Sequence, residues 1–242
     1  TLTKETDQIS RGKIEDIGRQ IEALKDEYEF IIVSSGAIAA AKQFVKLEHH
    51  GEEMNVKQAL ASIGQPHLMR IFQENFRELG LFTSQCLLSY SDFENADAKA
   101  NIKNTINVLV ANNFIPIINE NDTVATDEIQ FGDNDKLAAL TAALLKADLL
   151  MIATNTYGIY TKESFKNGTP ETIATVSGTQ HLTKEISSSK SSHGTGGMQS
   201  KIEAATIAQE AGIETWIVNG LKDNFISDAI KDLSKHTKII VR

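Results

Sequence analysis

With 242 residues, 41% hydrophobic and 23% charged, the chain has the composition of a globular protein long enough to bury a substantial core, which excludes a fibrous or disordered polymer. Its formal charge of −8 argues against binding along a phosphate backbone, which needs a basic face to displace condensed counterions, so no nucleic acid partner is expected. No apolar run approaches the ~20 residues needed to span a bilayer, so no membrane partner is expected and the cytoplasm is the expected compartment. One domain over residues 1–242 is the expected organisation. The lone cysteine, Cys86, lies in the run Gln85-Cys86-Leu87-Leu88 and is expected to pack rather than react.

Ile14, Ile17, Ile21 and Leu24 recur at helical spacing behind Ser10, a candidate cap, and predict an amphipathic opening helix. Phe30-Ile31-Ile32-Val33 reads as a strand buried on both faces that turns at Ser34-Ser35-Gly36 into a helix. Helices follow over residues 55–79, interrupted near Gly64 and Pro66, and over 95–112, 134–147 and 201–211. Strands are predicted over residues 83–88, 114–118, 148–153, 215–218 and 238–241. The alternation implies a mostly parallel sheet covered by helices. Residues 123–131 suit a hairpin, and the polar stretch 161–192 suits a mobile surface region.

Four clusters carry the polar chemistry. Ser35-Gly36-Ala37 stands at the carboxyl end of a strand, where open α/β sheets bind ligands and a following helix offers amides to an anion; it also suits an ordinary turn. Asn119-Glu120-Asn121-Asp122 follows Phe114-Ile115-Pro116-Ile117-Ile118, and such polar density beside a buried strand is costly without partners. Asp122 suits an ammonium group, with a capped turn as the plainer alternative. In Phe131-Gly132-Asp133-Asn134-Asp135, Asn134 and the amides of the next helix suit an α-carboxylate, while Asp133 and Asp135 fit either Mg2+ or a helix cap. Gly194-Thr195-Gly196-Gly197-Met198-Gln199-Ser200-Lys201 brings amides and a lysine to a helix start, as phosphates require, although it lacks the Walker A order and also suits a plain loop. The histidines show no ligand spacing, and no protein metal site is expected.

In this order, with Val33-Ser34-Ser35-Gly36-Ala37-Ile38 at its head, the series resembles the glutamate 5-kinases of the amino-acid kinase family from about residue 5 to about residue 235. Ala61-Ser62-Ile63-Gly64-Gln65-Pro66 also resembles the family's helix break near its glutamate site. The resemblance implies the amino-acid kinase fold, an α/β class three-layer α/β/α sandwich with a mostly parallel central sheet. It implies that ATP, with Mg2+, phosphorylates the γ-carboxylate of L-glutamate to γ-glutamyl phosphate, the first step of proline biosynthesis. Residue by residue, it implies that Ser35, Asp122 and Asn134 contact glutamate. ATP would be held by Thr154, Asn155, Thr195, Gly196, Gly197, Met198, Gln199, Ser200 and Lys201, with Lys201 catalytic beside the transferred phosphate. It further implies a homo-oligomer, dimer or tetramer, with proline as feedback inhibitor.

The chain departs from the family pattern in several places. The Lys-x-Gly-Ser/Thr motif of the family's first strand would lie ahead of Thr1, so that strand is expected to be missing, and no C-terminal RNA-binding-like domain is expected. Asn155 stands where the family has Asp, Asp-Pro is absent after Gly158-Ile159-Tyr160, and His236-Thr237 replaces Gly-Thr. Two further readings stay open: a non-catalytic sensor of glutamate or proline on the same fold, and a kinase whose acceptor is aspartate, N-acetylglutamate, carbamate or uridylate.

Overall fold

The computed structural model describes residues 2, 9–47, 53–124, 134–161, 163–164, 167–179, 182 and 197–241. The chain divides into two compact units, residues 2–134 and, together with Thr1, residues 135–242.

The first unit opens with α1 (Arg11–Leu24), where Ser10 takes an extended conformation and its side chain accepts from the Lys13 amide. The apolar stripe read from the sequence is its buried face, with Ile14, Ile21 and Leu24 inside. The run from Phe30 contributes only β1 (Ile32–Val33), followed by the short α2 (Ala37–Lys42). Next comes α3 (Glu53–Glu78), which continues through Pro66 where an interruption was expected. Pro66 removes one intrahelical bond, to the Ser62 carbonyl, on the exposed side of the helix, where Ser62 and Pro66 both face solvent and such a loss costs least.

The unit is completed by β2 (Phe82–Leu88), α4 (Ala96–Ala111) capped by Asn95, and β3 (Phe114–Glu120). Its sheet has the order β1-β3-β2 with every pairing parallel. The third strand runs two residues beyond the expected one because its register with β2 persists to Leu87↔Asn119 and Leu88↔Glu120. Ile14, Ile21, Leu68, Phe72, Phe76 and Ile117 form the core, and the rings of Phe72 and Phe76 meet edge to face at 5.7 Å. Cys86 is half-buried, and burial pushes its thiol above the ordinary value.

The second unit contains α5 (Asp135–Leu145), β4 (Leu149–Thr154), β5 (Thr175–Val176), α6 (Met198–Glu210), β6 (Glu214–Asn219), α7 (Phe225–Ile230) and β7 (Thr237–Ile239). Its sheet has the order β4-β6-β7-β5; β4 pairs with β6 and β5 with β7 in parallel, while β6 and β7 are antiparallel. Ala139 and Ala142 of α5 and Ala204 and Ala208 of α6 pack with Leu150 and Ile152, the small side chains letting helices and sheet approach closely. A second cluster joins Ile202 and Ala205 to Ile217 and Ile239. A mixed α/β architecture with parallel strands is thus present in both units. The hairpin expected over residues 123–131 lies outside the described residues except for Thr123 and Val124, which form a turn, and most of the polar stretch 161–192 also lies outside them. Among the described residues no helix is long and apolar enough to cross a membrane.

Candidate active site

In the first unit, parallel pairing sets the ends of β1 and β3 side by side: Val33 pairs with Ile118, and the Ser34 amide donates to the Ile118 carbonyl at 2.9 Å. Ser35 and, just past Asn119-Glu120 at the end of β3, Asn121-Asp122 therefore leave the sheet at the same carboxyl edge, where α/β sheets present ligand-binding loops. Gly36 has φ of +126°, a conformation that a side chain would strain, and it turns the backbone from Ser35 into α2.

Behind this edge lies a chain of side-chain amides, buried at Asn119, Gln65 and Asn134 and ending at the exposed Gln85. The Asn119 carbonyl oxygen, Oδ1, accepts from the Glu120 backbone amide at 2.9 Å, which fixes the orientation of that side chain. Asn119 Nδ2 then donates to Gln65 Oε1 at 2.9 Å, Gln65 Nε2 donates to Gln85 Oε1 at 3.1 Å, and Asn134 Nδ2 donates to Asn119 Oδ1 at 2.6 Å. One backbone N–H thus sets four side-chain amides. Beside them is a cavity of about 150 Å³ lined by Gln65 and Pro66 from α3, Gln85 from β2, and Glu120, Asn121 and Asp122 from the end of β3. Asp122 is buried, and its Oδ1 has no hydrogen-bond partner among the described residues. Burial pushes its carboxyl up to about 6. Among the described residues no cation meets this carboxylate, and an ammonium group is the complement it fits. Ser35 is half-buried and is not among the residues lining the cavity.

In the second unit, α6 leads directly into β6, which runs parallel to β4; the helix returns across the sheet and its N-terminus lies at the carboxyl edge. Thr154 and Asn155 occupy that same edge, with Thr154 buried and Asn155 exposed. The Thr154 carbonyl accepts from the Gly220 amide at 2.9 Å. Gly197 caps α6 without any side-chain acceptor, which leaves the first-turn amides of Met198, Gln199 and Ser200 suited to an anion. Lys201 Nζ lies 2.7 Å from Asp135 Oδ2 in the first turn of α5, and Ser200 Oγ donates to the same oxygen at 3.1 Å. Thr195 and Gly196 lie outside the described residues.

The sequence reading left Asp135 between Mg2+ and a helix cap; its partner here is the lysine. The signal for that pairing was a carboxylate and a lysine each placed in the first turn of a helix. Gln65, Gln85 and Asn119 were missed as a connected set, since only the fold brings them together. Among the described residues no group of three or more His, Cys, Asp or Glu side chains is arranged to hold a metal ion.

The Amino acid kinase family profile matches residues 1–219, a stretch that spans both units. Glutamate 5-kinase of Alkaliphilus metalliredigens is 38% identical over 239 residues, covering 98% of this chain and 90% of that relative. Glutamate 5-kinase of Vibrio campbellii is 38% identical over 241 residues; the match takes in 99% of this chain, which spans 64% of that relative's length. Among solved structures, UMP kinase from Ureaplasma parvum superposes with a TM-score of 0.61 at 18% identity, covering 96% of this chain and 90% of the other. An isopentenyl phosphate kinase gives 0.63 at 15%, with 96% and 91% covered, and both likenesses bear on the fold alone. By profile, by identity and by fold, the chain belongs to the amino acid kinase family, with glutamate 5-kinases as its relatives at 38% identity.

Proposed function

We propose that this chain catalyses transfer of the γ-phosphoryl group of ATP to the γ-carboxylate of L-glutamate, giving γ-glutamyl phosphate and ADP, and that residues 1–242 act as one amino-acid kinase domain. The observation that carries the reading is Asp122, a buried carboxylate with an unpartnered oxygen beside a cavity lined by side-chain amides. That combination fits an amino acid's ammonium and carboxylate groups.

In this reading Asp122 takes the substrate ammonium, while Ser35 and Asn134 hold carboxylate oxygens. The amide chain through Asn119 and Gln65 presets the Asn134 side chain before substrate arrives, so little ordering remains to be done on binding. The first-turn amides of α6 together with Thr154 and Asn155 hold the nucleotide, and Lys201 neutralises charge gathering on the transferred group. Asp135 orients that lysine. A γ-carboxylate oxygen bonds to the γ-phosphorus as the bond to the ADP oxygen breaks. The carboxylate is already ionised at neutral pH, so no protein base is needed. Mg2+ would travel with the nucleotide phosphates, as it commonly does, and help neutralise them. The family likeness also supports a homo-oligomer, proline as feedback inhibitor and a cytoplasmic place in proline biosynthesis.

The test is hydroxamate formation from L-glutamate, Mg-ATP and hydroxylamine, run beside L-aspartate and N-acetylglutamate. Glutamate-selective product that falls about tenfold or more in both Asp122→Ala and Lys201→Ala supports the reading, that being the scale of one lost charged contact. Glutamate binding without any product would replace it with the sensor.

A further inference from the structure

On the second sheet, α6 covers the face of β6 that carries Ile217, and the opposite face carries Trp216. Lys238 of β7 pairs with Trp216 in register and with Thr175 of β5, so one row crosses three strands. The Lys238 ammonium lies 4.9 Å from the Trp216 ring centroid and 3.0 Å from Asp232 Oδ1, while the His236 ring stands 5.2 Å from the same indole. Asp232, His236 and Lys238 border a cavity of about 180 Å³ that Thr175, Ser234 and Lys235 also line, with Trp216 behind them. By the ~30 Å³ that a water occupies, it has room for a molecule of roughly six heavy atoms.

His236 makes this cavity a built site. Its Nδ1 lies 2.8 Å from the Ser234 carbonyl oxygen, which can only accept, so Nδ1 carries the hydrogen of the neutral ring and Nε2 presents a lone pair. That Nε2 is buried without a hydrogen-bond partner among the described residues. Asp232 Oδ1 lies 3.9 Å from it, and Lys238 holds that carboxyl below its ordinary value, in the charged form. Two acceptors at this spacing suit one nitrogen donor placed about 2.8 Å from each. Lys238 takes the carboxylate oxygen but leaves Nε2 unserved. A plain anion would meet a lone pair and a carboxylate. A divalent metal would find only two ligands, one already bound to an ammonium. Lys235, exposed on the cavity wall, enters no ion pair among the described residues and suits an anionic group.

We propose that this cavity binds a small zwitterion of amino-acid size, its ammonium between His236 Nε2 and Asp232 and its carboxylate at Lys235. Neither ATP nor turnover enters this inference, which stands apart from the kinase reading. Trp216, the only tryptophan in the sequence, does not line the cavity but touches His236 and Lys238, and it reports on the site through them. The full chain is titrated with L-alanine, methylammonium chloride and sodium acetate at matched ionic strength, following Trp216 emission. L-Alanine should give a saturable change, with methylammonium and acetate each weaker by about tenfold or more, as expected when one of two charged contacts is lost. His236→Phe and Lys235→Ala should weaken the alanine response on the same scale. Lys235 is exposed, so its variant keeps the test valid where His236→Phe fails to fold. No saturable change with alanine, acetate acting as well as alanine, or an alanine response that survives Lys235→Ala would each overturn the proposal.

Discussion

Lys201 Nζ and Asp135 Oδ2 lie 2.7 Å apart, each side chain largely buried, so a lysine in the first turn of α6 is held by a carboxylate in the first turn of α5. The pairing keeps the ammonium from folding back into solvent. Asp135→Asn keeps the shape and removes the charge that orients Lys201. On the proposed reaction, glutamate phosphorylation is expected to fall on the order of 10²-fold in kcat, the scale of losing one preset electrostatic group, with the ATP KM less affected. Thermal melts should show a loss of about 1–3 kcal/mol, because a largely buried ammonium loses its partner. An unchanged kcat would remove Lys201 from the transfer step.

Asp122 gives a pH signature. Its carboxyl ordinarily titrates at 3.8, and burial pushes it up to about 6. The folded protein therefore holds this proton more tightly than the unfolded chain does. Its contribution to stability is fully present below the ordinary value and is lost as pH rises through about 6. Asp122→Asn should raise the stability of the unliganded protein by on the order of 1 kcal/mol near pH 8 and give no gain near pH 4, read from denaturant melts. On the proposed reading substrate reverses the preference, because an ammonium needs the ionised form. The glutamate KM should then rise as pH falls through about 6, with no such slope in the ATP KM.

The readable parts of this molecule are those whose signal is local. The stripe Ile14-Ile21-Leu24 gave α1, and the apolar run ahead of Asn119-Glu120-Asn121-Asp122 marked the carboxyl end of a strand. Asn119 and Glu120 nevertheless fall beyond the strand predicted over residues 114–118, because polar side chains hide a strand whose register is kept by backbone pairing with Leu87 and Leu88. The α3 helix crosses Pro66 because one lost hydrogen bond costs less than breaking a helix packed through Leu68, Phe72 and Phe76. Gln65 and Asn119 are 54 positions apart, and Asp135 and Lys201 are 66 apart. No spacing rule connects such pairs, and the sheet and helix packing must form before either exists.

Gln65 tests the amide chain. It accepts from Asn119 Nδ2 and donates to Gln85 Oε1, so Gln65→Leu removes both contacts while keeping most of the volume. Asn119 is buried, and losing this acceptor should cost about 1–2 kcal/mol in melts. Asn119 Oδ1 stays held by the Glu120 amide, but its Nδ2 loses an anchor, so Asn134 is held less firmly and, on the proposed reading, the glutamate KM should rise severalfold while the ATP KM stays level. Equal change in both constants would mean that the chain serves the fold alone.

Gly64 separates packing from propensity. A Cβ there would collide with the Ala37 carbonyl oxygen and lie 2.8 Å from the Ala41 amide nitrogen, both backbone atoms of α2 that cannot swing aside. Gly64→Ala must therefore push α2 off α3, and α2 is capped by Gly36, directly after Ser35. Melts should show a loss of about 2–4 kcal/mol, the upper range for overpacking, with a raised glutamate KM. Gly12 in α1 gives the opposite expectation, since nothing lies within 4 Å of its built Cβ. Gly12→Ala should stabilise by about 0.5–1 kcal/mol through helix propensity alone. Two glycine-to-alanine changes with opposite signs would show that close backbone approach excludes a side chain at Gly64. A neutral Gly64→Ala would mean that α2 shifts freely, and Ser35 would then lose its fixed place at the end of β1.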